Sequence, residues 1–70
     1  MKPSDDEIMD EIKDVPHAPT YYVKNCLRDE YKGLTTAFVR RRLLALEAAG
    51  KVRRTGTSSN SITWKISEQL

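Results

Sequence analysis

The stretch LTTAFVRRRLLALEAAGKVRR, residues 34–54, combines an apolar helix-forming run with five arginines. An α-helix turns by about 100° per residue, so apolar positions should recur every three or four residues. On that wheel one face comprises Val39, Leu43 and Leu46. Arg40 and Arg41 fall on the other side, beside a leucine and small residues. The stretch therefore predicts an amphipathic helix over 35–49 that packs by one face and presents arginines on the other.

The other three arginines of this stretch have different surroundings. Arg42 falls at the edge of the apolar face, where a long basic side chain lays its stem on apolar surface and extends its charge outward. We expect it to reach either a phosphate or an acid of the first helix. Arg53 and Arg54 come after Gly50, which is expected to end the helix in a left-handed conformation and to turn the chain into the next element.

Two shorter helices are predicted upstream. Ser4 and Glu7 form a capping-box pattern, and Pro16 disfavours a helical residue before it, which gives a helix over 5–15. An extended connector follows, and Thr20 can cap a second helix over 20–31. Gly33 is the expected left-handed end of that helix. The side chains expected to face inward are Ile8, Ile12, Val15, Val23 and Leu27, together with Tyr22 and Cys26.

The pattern changes from helical to alternating near the end of the chain. Ile62, Trp64 and Ile66 alternate with polar residues, which is typical of a strand with one buried face. Residues 51–55 can form its antiparallel partner, with a polar tip at 56–60. The sequence thus predicts one α+β domain over residues 1–70, with three helices followed by a β-hairpin at about 51–66.

Charge is distributed unevenly along the 70 residues. Residues 1–19 hold two lysines and six acids, whereas residues 20–70 hold ten basic residues and four acids. Between Lys32 and Lys65 there are eight basic residues and one acid, Glu47. A surface of one sign indicates a polyanionic partner on one side of the domain.

Composition argues against several other classes of protein. A chain this short buries only roughly 60% of its unfolded surface, so a deep active site is not expected. One cysteine, Cys26, and one histidine, His17, provide neither a disulfide nor a catalytic or metal constellation. We therefore expect no enzyme activity, cofactor, metal or small-molecule ligand. No apolar run is as long as a membrane span, and a cytoplasmic protein, nucleoid-associated when bound to DNA, is predicted.

The order of the elements resembles the winged helix-turn-helix domain. Residues 34–54 are similar to the recognition helix and first wing strand of MarR-type and related prokaryotic and viral transcriptional regulators. That pattern has a hydrophobe in the turn, a capping Ser or Thr, a mid-helix Val, two Leu, a Glu, a Gly and a Val or Ile. The matching positions are Leu34, Thr35, Val39, Leu43, Leu46, Glu47, Gly50 and Val52.

The resemblance implies three groups of DNA contacts. The first half of helix three would read bases in the major groove with Thr36, Ala37, Phe38, Arg40 and Arg41. The start of helix two would lie near phosphates with Thr20, Tyr21, Tyr22 and Lys24. The hairpin, or wing, would hold the backbone or minor groove with Arg53, Arg54, Thr57, Ser58, Ser59 and Asn60. Lys51 is a further candidate for a phosphate contact, since phosphate contacts supply affinity without sequence information.

These observations favour a double-stranded-DNA-binding protein that is a small transcriptional regulator. If it is a repressor, it would act by occupying its site. One alternative is a winged-helix module for protein–protein interaction in a larger nucleic-acid assembly. It is favoured by the acidic first helix and an outward Leu44, and opposed by the basic wing. Another is an architectural or recombination-directionality factor that bends DNA. We expect a monomer in solution that pairs weakly on DNA.

Overall fold

The protein folds as three α-helices and a three-stranded antiparallel sheet in a computed structural model that describes residues 2–15, 17–58 and 61–67. The helices are α1 (Asp5–Ile12), α2 (Thr20–Leu27) and α3 (Thr36–Ala48). The strands are β1 (Ala18–Pro19), β2 (Val52–Ser58) and β3 (Ser61–Ile66). The α+β class and the order of three helices and a hairpin are those predicted from the sequence.

The core lies where the three helices meet the inner face of the sheet. The predicted apolar face of α3 is buried, with Val39 and Leu43 fully inaccessible to solvent. Each element contributes to this core, and its main members are Ile8, Ile12, Val23, Leu27, Leu46, Val52 and Trp64. Because α3 is held by one face only, its opposite face is left for solvent or a partner.

Local signals in the sequence fix the ends of α1 and α3. The predicted capping box is present: the Ser4 hydroxyl accepts from the Glu7 amide at 3.2 Å, and the Glu7 carboxylate accepts from the Ser4 amide at 3.0 Å. Thr35 caps α3 by accepting from the amide of Phe38. Gly50 has a φ of 78°, and the next amide, of Lys51, donates to the carbonyl of Leu46 at 2.9 Å. This left-handed ending turns the chain into β2.

The first two helices are shorter than predicted. Helix α1 ends at Ile12, and the Val15 amide donates to the Ile12 carbonyl in a tight turn before residue 16. Helix α2 ends at Leu27, and its last carbonyl accepts from the amides of Glu30 and Tyr31 in a turn. The apolar spacing thus continues past the end of each α-helix. The last turn is instead closed by a hydrogen bond over three residues, which is tighter than that of an α-helix.

The predicted connector at 16–19 contains a strand. In β1, Ala18 is opposite Trp64 and Pro19 is opposite Thr63, so β3 is the central strand in the order β1-β3-β2. Two residues are too few to show alternation, and proline donates no ladder hydrogen bond, which explains why the strand was not predicted. The predicted tip at 56–60 is also shorter, because β2 continues to Ser58; Ser59 and Asn60 lie outside the described residues.

Two inward assignments on α2 are wrong. Cys26 is exposed, and Tyr22 and Tyr21 are both exposed, at 36% and 40%. A helix as short as α2 buries only the stripe formed by Thr20, Val23 and Leu27. Tyr22 and Cys26 are four residues apart and share an adjacent, outward stripe.

Candidate nucleic-acid interface

The outward face of α3 carries two arginines that no acid neutralises within the part of the chain the structure describes. Arg40 and Arg41 are exposed, and the salt bridges of the described residues use other cations. Ala37 is exposed one turn before Arg41, and Leu44 is 37% exposed one turn after it. Small neighbours permit close approach to a surface, and a guanidinium can bond two acceptors of a guanine at once.

The other predicted base-reading side chains are less accessible. Thr36 is half-buried, and Phe38 is half-buried against the core cluster. The Lys2 ammonium lies 4.7 Å from the centre of the Phe38 ring. Phe38 therefore packs in part against the core, and its base contact stays a prediction for the accessible part of the ring. Ala37, Arg40 and Arg41 form the accessible part of the predicted set.

Arg42 binds an acid of the first helix, which was one of the two partners predicted for it. Its Nε donates to Asp5 Oδ1 at 2.9 Å and its Nη2 to Asp5 Oδ2 at 2.7 Å. The bond from Arg42 lowers the pKa of Asp5, and the Asp5 carboxylate in turn raises the pKa of Arg42. The two-point bond links α1 to α3 and engages the Arg42 guanidinium within the molecule.

Arg54 is also engaged within the molecule. Its guanidinium donates to both Glu47 oxygens, at 2.9 and 3.2 Å, and lies 5.8 Å from the centre of the Trp64 ring. Arg54 is directly opposite Trp64 in the hairpin, so both side chains lie on the sheet face that packs on α3. The pair joins the wing to α3. The Arg54 side chain is still 51% exposed, so its contact with the DNA backbone stays a prediction.

The start of α2 offers less to a phosphate than predicted. Thr20 is 2% exposed, and its hydroxyl accepts from Trp64 Nε1 at 2.8 Å and donates to the Ile62 carbonyl at 3.1 Å. The Thr20 side chain neither caps α2 nor reaches the surface, which does not fit the predicted phosphate contact. Tyr21 and Tyr22 are exposed and Lys24 is half-buried, so these three keep their place in the candidate set.

The wing has cations at its base and hydroxyls toward its tip. Arg53 and Thr57 are exposed; Ser58 ends β2. Lys51 is exposed at the base, close enough to Asp5 to lower the pKa of that carboxyl, and beside Met9 of α1. Strands rise about 3.3 Å per residue, which places Lys51 roughly 20 Å from the tip. Lys51 stays a predicted phosphate contact, at the base of the wing.

One candidate cation was missed from the sequence. Lys65 of β3 is directly opposite Arg53 of β2. Alternation in the hairpin could have placed Lys65 on the outer face of the sheet, but its partner depends on the register. A bulge between Arg54 and Gly56 shifts that register.

Two kinds of feature are absent from the described residues. Residues 2–15, 17–58 and 61–67 contain no cluster of three or more His, Cys, Asp or Glu that could hold a metal ion. In the same residues, each helix is too short, or too polar, to cross a bilayer.

These features define a winged helix-turn-helix fold: three helices, a short strand after the first, and a C-terminal hairpin beside the third. A chain of the Helicobacter pylori ferric uptake regulator Fur, whose structure reveals three functional metal binding sites, superposes with a TM-score of 0.78 at 19% sequence identity. The match covers 90% of this chain and 44% of the Fur chain, so this chain spans less than half of that relative's length. No protein-family model and no curated protein sequence matches.

Proposed function

We propose that this protein binds double-stranded DNA and acts as a small transcriptional regulator. The observation that carries the proposal is the exposed pair Arg40 and Arg41 on a helix whose opposite face is fully buried. A rigid helix of this kind fits the major groove, where arginine recognises guanine through two acceptors. The fold that it shares with the regulator Fur supports the same assignment.

The proposed contacts divide into two functions. Arg40 and Arg41, with Ala37 beside them, would read base edges. Arg53 and Lys24, with the exposed tyrosines of α2, would contact phosphates and set the register of the protein on the duplex. A chain that binds in this way would repress by occupying its site.

Salt dependence of binding is the first test. Fluorescence anisotropy with a random-sequence duplex should show affinity that falls steeply with salt, because each phosphate contact releases counterions. Absence of binding at low salt would contradict the proposal.

Two substitutions at one position separate base reading from phosphate binding. Selection of bound sequences from a random pool first provides a preferred site. Arg41→Ala should then cost on the order of 1–3 kcal/mol at one base position of that site. Arg41→Lys keeps the charge but loses the two-point fork, so it should lose the base preference while retaining the salt slope. If Arg41→Ala weakened all sequences equally, Arg41 would be a phosphate contact instead.

A protein-interaction module is the second candidate, favoured by one observation. Leu44 is 37% exposed on the outward face of α3, which it shares with Ala37 and Ala48. Leu44→Lys distinguishes the two functions: an added cation preserves or strengthens non-specific DNA binding, whereas it abolishes docking through an apolar helix face.

A further inference from the structure

The outer face of the sheet carries two like charges directly opposite each other. Arg53 of β2 and Lys65 of β3 are register partners in the antiparallel hairpin. Side chains at such positions are about 5 Å apart at their β-carbons, and like charges there are destabilising. Arg53 is exposed and Lys65 is half-buried, so neither charge is sequestered in the core.

This face is separate from the one that packs on the helices. Arg54 and Trp64 face α3, and successive side chains of a strand point to opposite sides, so Arg53 and Lys65 point away from the helices. The next polar pair toward the tip is Thr55 and Thr63, whose hydroxyl oxygens are 2.7 Å apart. Because Thr63 is only 4% exposed, the accessible groups of this face are the two cations, on the side of the sheet opposite to Arg54 and Trp64.

Some cations of the described residues are paired with acids, whereas these two, like Arg40 and Arg41, are not. Arg42 is paired with Asp5, and Arg54 is paired with Glu47. Among the residues described here, neither Arg53 nor Lys65 has an acid within salt-bridge distance. Two positive side chains that repel each other and have no acid nearby are stabilised when an anion binds between them.

We propose that Arg53 and Lys65 form a phosphate-binding site for the DNA backbone on the outer face of the wing, a role that includes Lys65 and is distinct from base reading by α3. The inference rests on the proposed DNA-binding function. A phosphodiester accepts two parallel bonds from a guanidinium and one from an ammonium, so the pair matches one phosphate group. A bound phosphate would attract both side chains and so offset the repulsion between them.

The test uses four variants of the full chain: Lys65→Gln, Arg53→Gln, the double variant, and Lys13→Gln as a control. Lys13 is an exposed cation at the end of the acidic α1, paired only with exposed Asp10, so its loss changes the net charge equally and costs little stability. The measurements are the slope of binding affinity against salt on a random duplex, and the melting temperature of the free protein at low and high salt.

A phosphate site predicts opposite effects on binding and stability. Each single variant should lower the salt slope by about 0.9 and the double variant by about twice that, with the control unchanged. Each single variant should raise Tm by about 1–4 °C at low salt, since one substitution already removes the repulsion. The double variant should add nothing further to Tm, and about 1 M salt should abolish the increase.

Each contrary result has its own meaning. A Lys65→Gln slope equal to that of the wild type would overturn the inference and leave the proposed DNA binding in place. Tm values that do not rise would show that the two charges do not repel, and would remove the physical basis of the site. If the wild-type protein did not bind duplex DNA at low salt, the proposed function would fail together with the site, while the Tm pattern would still report the repulsion.

Discussion

At the scale of single residues, Thr20 connects the buried tryptophan to the sheet. Thr20→Val keeps the shape but leaves the Nε1 hydrogen of Trp64 and the Ile62 carbonyl without this partner. An unsatisfied buried polar group costs about 1–3 kcal/mol, so urea denaturation should show a decrease of that size in the free energy of unfolding. Thr57→Val, at an exposed site of β2, should change it by less than about 0.5 kcal/mol. An unchanged Thr20→Val protein would mean that Trp64 finds another acceptor.

The arginines show how far residue roles could be predicted from the sequence. The helical wheel separated Arg42 from its two neighbours because the angle of a side chain on a helix is a local property. The pairing of Arg54 with Glu47 was not predicted, because it depends on how the hairpin lies against α3. The role of Thr20 likewise depends on a strand more than 40 residues away. The direction of a side chain on its own helix could be predicted from the sequence, whereas contacts between different elements could not.

At the scale of elements, an ionised carboxylate contributes to the attachment of α1 to α3. Arg42 holds the pKa of Asp5 below its ordinary value, and the Ser4 amide does the same for Glu7. The unfolded chain therefore binds more protons than the folded one in the acid range. Stability contributed by these groups is present above about pH 4.5, the ordinary pKa of glutamate, and is lost as pH falls through the lower folded values.

Substitution of Asp5 tests this attachment. Asp5→Asn should be less stable than wild type at pH 7 and should lose less stability between pH 5 and pH 3, because it no longer takes up that proton. Urea denaturation at a series of pH values measures both effects. Asp6→Asn removes an exposed carboxylate of the same helical turn that has no arginine partner, and should retain the dependence due to Asp5. Equal pH slopes for wild type and Asp5→Asn would contradict the role given to the Arg42 bond.

Tyr31 provides a test at the alkaline end. Its hydroxyl donates to Glu7 at 2.5 Å, and this bond to a carboxylate raises the pKa of Tyr31 to about 12. A phenol whose folded pKa is raised adds stability that is complete below its unfolded pKa of about 10 and is lost as pH rises toward 12. Ultraviolet titration should show Tyr31 ionising late in the native protein, and Glu7→Gln should lower its pKa without lowering that of Tyr22, which a bond to Cys26 raises. The result would be negative if all tyrosines titrated together.

At the scale of the whole molecule, the position of charge matters more than its total. The formal net charge is only +2, yet the acids of residues 5–14 and the free cations of α3 and the wing belong to different elements. Such a distribution orients a protein toward a polyanion before contact and makes association dependent on ionic strength. The sequence already indicated this asymmetry, because α1 is acidic throughout. It could not indicate that Lys65 lies opposite Arg53 in the hairpin, because that pairing depends on the register of the strands.

The dimensions of the molecule predict how many chains one duplex accepts. The longest extent of the chain is 35 Å, close to the roughly 34–36 Å of one turn of B-DNA. Under the proposed function, one chain should therefore occupy about 10 base pairs. Native mass spectrometry with duplexes of one and two turns that contain the selected sequence should show one bound chain and then two. The second chain should bind more tightly than the first if the chains pair on DNA. Two chains on a single-turn duplex would contradict this arrangement, since the second chain would have no groove left to enter.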